Sequence, residues 1–170
     1  MNNSRLKKLI IVVAFSIIAI TLALSFYYRH QNQNTQNYNN NAYANYLQSI
    51  TDKSVNLTRA YQDEIAIWNA HQYSNTTMSK ITEAYLPKFI SQLNQFKNTE
   101  APAKYSKVKE AYIKSFDSEI KSYRLFDEYL KTNNVTANKL STDYLSFALT
   151  NETIARNAFA QANNNSNSGR

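Results

Sequence analysis

Between residues 42 and 162 apolar side chains recur at intervals of three and four, the spacing that holds them on one face of an α-helix. The first row is Tyr43, Leu47, Ile50, Leu57, Tyr61, Ile65 and Trp68, with Ser54 standing in the gap. The second is Met78, Ile81, Tyr85, Phe89, Leu93 and Phe96, preceded by the cap-forming Ser74, Asn75, Thr76 and Thr77. Pro87 lies inside it and predicts a kink near Glu83 to Leu86, or a break into two short helices. A third row is expected to open at Pro102 and runs Tyr105, Val108, Tyr112, Phe116, Ile120, Tyr123, Phe126 and Leu130. After Thr132, Asn133 and Asn134 the fourth reads Ala137, Leu140, Tyr144, Phe147, Ala148, Ile154, Ala158 and Phe159. Such rows with short connectors predict an all-α, up-down-up-down four-helix bundle over 42–162 with coiled-coil-like packing.

Ahead of the bundle the pattern changes. Leu9 to Tyr28 is one apolar run without charge, Pro or Gly, and as a helix it would span roughly 30 Å, the thickness of a bilayer core. Arg5, Lys7 and Lys8 precede it and only Arg29 follows closely, so the positive-inside rule places residues 1–8 in the cytoplasm and the bundle outside. Ala23 and Ser25 would suit a signal peptidase, but the run is longer than the 7–15 residues or so of a cleaved signal, which favours a retained anchor. Within it Ala19 and Ala23, like Thr21 and Ser25, are small residues four apart, a spacing that can bring two spanning helices together. Residues 29–41 are rich in Asn and Gln and read as a flexible tether, and 163–170 as a disordered tail.

Composition removes several chemistries. The chain has 1 Gly and no Cys, which leaves no glycine phosphate loop, no disulfide, no lipidated cysteine and no thiolate ligand. Of its net charge of +7, the four basic residues flanking the apolar run supply more than half, and the rest is spread out, so no nucleic-acid footprint is expected. Lys107 with Glu110, Lys114 with Asp117, Asp117 with Lys121, and Arg124 with Asp127 and Glu128 are spaced as pairs on solvated helix faces.

Asp63 with Glu64 and Asp127 with Glu128 are adjacent carboxylates that diverge by about 100° on a helix, and the Glu-x-x-His motif of di-metal bundles is missing. His71 has no carboxylate placed to orient it and reads as a helix-end residue. No nucleophile and base are assembled, so no enzymatic activity, cofactor or metal is expected. Tyr61, Trp68, Tyr85, Tyr112 and Tyr123 could line a cleft for a small apolar or aromatic ligand, although core packing is the commoner use of such rows. Asn75 and Asn134 head glycosylation sequons in predicted connectors.

Ala101 to Ser115, APAKYSKVKEAYIKS, carries Pro102, Tyr105, Lys109 and Tyr112. This pattern resembles the start of the third helix in uncharacterised membrane-anchored extracytoplasmic helical-bundle proteins of bacteria and archaea. The resemblance implies an anchor-plus-bundle layout and no activity. Lys109 stands where those proteins often have His. Two functional classes follow: an interaction or structural module at the cell envelope, associating with itself or an envelope protein, or a small-ligand-binding, sensor-like bundle that signals through a partner.

Overall fold

The computed structural model describes residues 39–164, which are helical and contain no strand. The expected anchor at 9–28, the cytoplasmic segment 1–8 and most of the tether lie outside the described residues. No helix among the described residues is long and apolar enough to cross a membrane. Helix α1 covers residues 39–69, α2 Asn75–Asn98, α3 Ser106–Thr132 and α4 Val135–Asn164. Residues 39–41, read from composition as tether, already belong to α1, and the expected tail begins inside α4, where Asn163 accepts a hydrogen bond from the Tyr105 hydroxyl at 2.8 Å.

Ring and hydrogen-bond contacts fix the directions of the helices. Tyr61 reaches Thr82 and Tyr46 lies over Phe96, so α1 and α2 are antiparallel. Phe96 packs on Tyr112 and Phe89 on Tyr123, which sets α3 antiparallel to α2. Ser122 meets Ser141 while Tyr105 stacks on Phe159, which reverses α4 against α3. Tyr43 on Tyr105 and Tyr61 on Tyr123 make α1 parallel to α3. Helix α3 is thus the central one, and the third apolar row is buried along its whole length.

The connections follow from local chemistry. Ser74 caps α2 by accepting from the Thr77 amide, as its position before the second row predicts. His71 ends α1 with a left-handed φ of 60° and is exposed, and Asn133 ends α3 in the same way at 56°. Pro87 does not break its helix: α2 is continuous from Asn75 to Asn98. An exposed site on the helix surface leaves room for the ring, and buried Met78 and Thr82 before it and Phe89 and Leu93 after it hold both halves to the core. Pro102 heads a short 3-10 turn, Ala103–Tyr105, and α3 proper starts only at Ser106. Lys109 donates to the carbonyls of Lys97 and Thr99 at 2.8 and 2.5 Å, so its ammonium satisfies the C-terminal end of α2, where the helix dipole favours a cation.

The fourth row is corrected by the structure. Helix α4 buries Ala137, Ser141, Ala148 and Ala155, whereas Leu140, Phe147 and Ile154 are 41%, 57% and 51% exposed. Small side chains let the α4 backbone lie against α3, and Ser115 of α3 reaches across to the Ala148 carbonyl at 2.8 Å. Three of the four charge readings also change. Lys121 pairs with Asp117 as expected, but Lys114 pairs with Glu110, and neither Lys107 nor Arg124 makes an ion pair among the described residues. Asp127 is not on a solvated face: it is 9% exposed, accepts from Ser79 at 2.6 Å and pairs with Lys131, which also reaches Glu83. Those two carboxylates hold the Lys131 ammonium well above the usual lysine range.

Candidate functional site

The five aromatic residues proposed as a ligand cleft are distributed over three layers. Tyr61, Tyr85 and Tyr123 meet in the central layer, with ring centroids 5.1 Å and 4.6 Å from Tyr61, and Phe89 completes the group. Trp68 lies towards one end against Phe126, its indole N–H donating to Asn75 at 3.0 Å. Tyr112 lies towards the other end with Phe96 and Phe116. Tyr61 is fully buried, and its hydroxyl is bonded to Thr82 at 2.7 Å. Of the five, Tyr112 alone lines the groove described next.

That groove runs between α1 and α4 with α3 as its floor and has a cavity volume of about 280 Å³. Ser54, Val55, Thr58, Arg59 and Gln62 line it from α1, Tyr112, Ser115, Phe116 and Glu119 from α3, and Leu145, Ala148, Leu149, Glu152 and Arg156 from α4. Helix α4 packs on α3 through alanine and serine, so its backbone sits close to α3, and its larger Leu145, Leu149, Glu152 and Arg156 line the groove without closing it. At about 100° per residue, the groove-lining Leu149 points away from Leu140 and Phe147, so groove and exposed apolar row occupy opposite flanks of α4.

Glu119 is the chemical centre of the groove. It is 8% exposed, and its Oε1 accepts from Tyr123 at 2.7 Å and from Thr58 at 2.8 Å. Burial pushes its carboxyl above the ordinary 4.5 of a glutamate, and the two hydrogen bonds oppose that rise. Burial also pushes the Tyr123 and Tyr61 hydroxyls well above the tyrosine range. Glu119 makes no ion pair among the described residues, whereas the nearby Glu152 is paired with Arg156. The sequence reading missed Glu119. Its position three residues after Phe116 and four before Tyr123 placed it beside the buried row and was the available signal.

The burial of the Glu119 carboxyl also links stability to pH. Between 4.5 and its raised value the folded chain holds a proton that the unfolded chain has released, so the contribution of Glu119 is complete below about 4.5 and is lost as pH rises through that window. Glu119→Gln keeps a carbonyl acceptor for Thr58 and Tyr123 without the buried charge. Thermal unfolding followed by circular dichroism is expected to show this variant melting above the parent at pH 7, with the gap closing on acidification towards 4.5.

Other candidates resolve into structure. Asp127 is engaged by Ser79 and Lys131, and among the described residues no group of three or more His, Asp or Glu could hold a metal ion. The sequon asparagines are engaged: Asn75 bridges Trp68 and Asn133, and Asn134 accepts from the amides of Thr136 and Ala137 at the start of α4. No known protein family, curated protein or solved structure matches the chain.

Proposed function

We propose that the chain is a single-pass membrane protein with a cytoplasmic N-terminus, and that its extracytoplasmic bundle is an interaction module pairing with a second copy along the outer flank of α4. The observation that carries this reading is the row Leu140, Phe147 and Ile154, three large apolar side chains left 41–57% exposed on one helix. Of the six exposed large hydrophobic residues among those described, these three share one flank of α4, whereas Leu149 faces the groove. An exposed apolar row of this kind marks a contact surface more readily than scattered single residues do.

A second copy fits the row better than an unrelated partner for two reasons. The residues are spaced by seven, so a parallel copy of α4 meets each side chain with its own counterpart, as in a parallel heptad seam. Two copies anchored in one membrane by the same segment insert in the same direction, which a twofold axis along the membrane normal preserves. The small residues four apart at Ala19, Ala23, Thr21 and Ser25 support pairing of the anchors, and shared anchoring raises the effective concentration of the weak α4 contact. The resemblance at Ala101 to Ser115 agrees with the anchor-plus-bundle layout.

Because the chain has no Cys, single cysteines report the pairing cleanly. Full-length Phe147→Cys in membranes is expected to form a disulfide-linked dimer under mild oxidation. Thr153→Cys, exposed on another flank, is expected to remain monomeric. Phe147→Glu is expected to weaken association at least tenfold. Equal cross-linking at 147 and 153, or association unchanged by Phe147→Glu, would sink the reading, and a hetero-oligomer without a homodimer would move it to an envelope protein partner.

A further inference from the structure

The groove between α1 and α4 holds a buried carboxylate that the fold does not need. A 280 Å³ space floored by Phe116 and Tyr112 would be filled with less cost by an apolar residue at 119, since a buried charge without an ion pair is expensive. The fold instead supports Glu119 on one side only. Both hydroxyl donors, Thr58 and Tyr123, go to Oε1. Among the described residues the side-chain polar atoms that are sealed and without a partner are the Tyr43 hydroxyl and Glu64 Oε2. Glu119 Oε2 accepts no bond among the described residues and is not one of those sealed atoms, and Glu119 lines the groove.

The rim carries the opposite charge. Arg59 follows Thr58 on α1, lines the groove, is exposed and has no ion-pair partner among the described residues. The second arginine, Arg156, is occupied: its Nε and Nη2 both reach Glu152 at 3.1 and 2.5 Å. The groove therefore offers one free anionic acceptor at its floor, one free cation at its lip, and an apolar wall of Val55, Phe116 and Leu149. Its volume of about 280 Å³ lies just below the range for small-molecule pockets, about 300–1,000 Å³, which leaves no room for a nucleotide.

We propose that this groove binds a small zwitterion, an α-amino acid with an apolar side chain, its ammonium on Glu119 Oε2, its carboxylate on Arg59 and its side chain against Val55, Phe116 and Leu149. An ammonium supplies the counter-charge that Glu119 lacks and donates to its free oxygen. A guanidinium recognises a carboxylate through paired N–H donors. The site is independent of the outer row of α4, and its occupancy does not depend on whether the chain pairs.

The test is calorimetric titration of the full-length chain in detergent micelles with L-leucine and L-phenylalanine. The comparison probes are 3-methylbutan-1-amine, which lacks the carboxylate of leucine, 4-methylpentanoate, which lacks its ammonium, and calcium chloride. Saturable one-site binding of an amino acid is expected, with both truncated probes at least tenfold weaker. Glu119→Gln is expected to weaken the amino acid at least tenfold while melting no lower than the parent, which separates loss of the site from loss of the fold. Arg59→Met is expected to weaken the amino acid and leave the amine unchanged. No saturable heat with either amino acid up to about 10 mM, undiminished binding by Glu119→Gln, or saturation by calcium alone would overturn the proposal.

Discussion

Tyr61→Ala is expected to lower the stability of the bundle by about 3–5 kcal/mol, the range for removing a large aromatic side chain from a packed core. The residue has no exposed surface, and its ring contacts Tyr85, Phe89 and Tyr123, so its loss opens a void where α1, α2 and α3 meet. The void cannot close easily, because the neighbouring groups are tied by their own hydrogen bonds, Tyr123 to Glu119 and Thr82 to the Met78 carbonyl. Tyr61→Phe separates the ring from the hydroxyl. Thr82 keeps its bond to Met78, so this variant is expected to lose only about 1 kcal/mol. Urea unfolding of the three proteins measures both effects, and equal losses in the two variants would mean that the hydroxyl rather than the ring holds the layer together.

Ala155→Leu is the second large effect expected. Ala155 is fully buried, so three additional carbon atoms there push α4 away from α3 and cost about 1–3 kcal/mol. Phe147→Ser, by contrast, is expected to change the stability of the monomeric bundle by no more than about 0.5 kcal/mol, because more than half of the phenylalanine is already exposed. Denaturant midpoints of the two variants under monomeric conditions make the comparison. If the serine variant were the weaker, the outer row of α4 would belong to the core.

That contrast also shows what the sequence could and could not convey. The first three rows were legible because large apolar residues dominate one face of each helix: the third row, Tyr105 through Leu130, is buried at every position named. Ser74 and Asn133 could be read as boundaries from their capping chemistry. Helix α4 was misread because large apolar residues were weighted above small ones. Its packing face is alanine and serine, which look neutral to a hydropathy pattern, and burial there depends on how closely two backbones approach. The candidate site was less legible still. Tyr112 was named, but Glu119 and Arg59 line one groove only through the parallel alignment of α1 and α3, a relation between residues sixty apart that no local spacing encodes. Lys109 illustrates the same limit, since its role in satisfying the end of α2 depends on the turn that brings it back to Lys97 and Thr99.

The hydroxyl bonds inside the bundle have a consequence for alignment. A core of leucines alone would let neighbouring helices slide by a heptad at small cost, because one leucine layer is much like the next. Here Tyr61 is matched to Thr82, Ser79 to Asp127, Thr58 to Glu119, and Ser122 to Ser141. Each pair joins groups of complementary chemistry at one height along the bundle, and sliding by a turn would leave several buried polar atoms unmatched at once. The pairs thus act as index pins: aromatic bulk supplies the cohesion, and a few oxygen atoms choose the one axial setting in which Glu119 and Arg59 face the same groove.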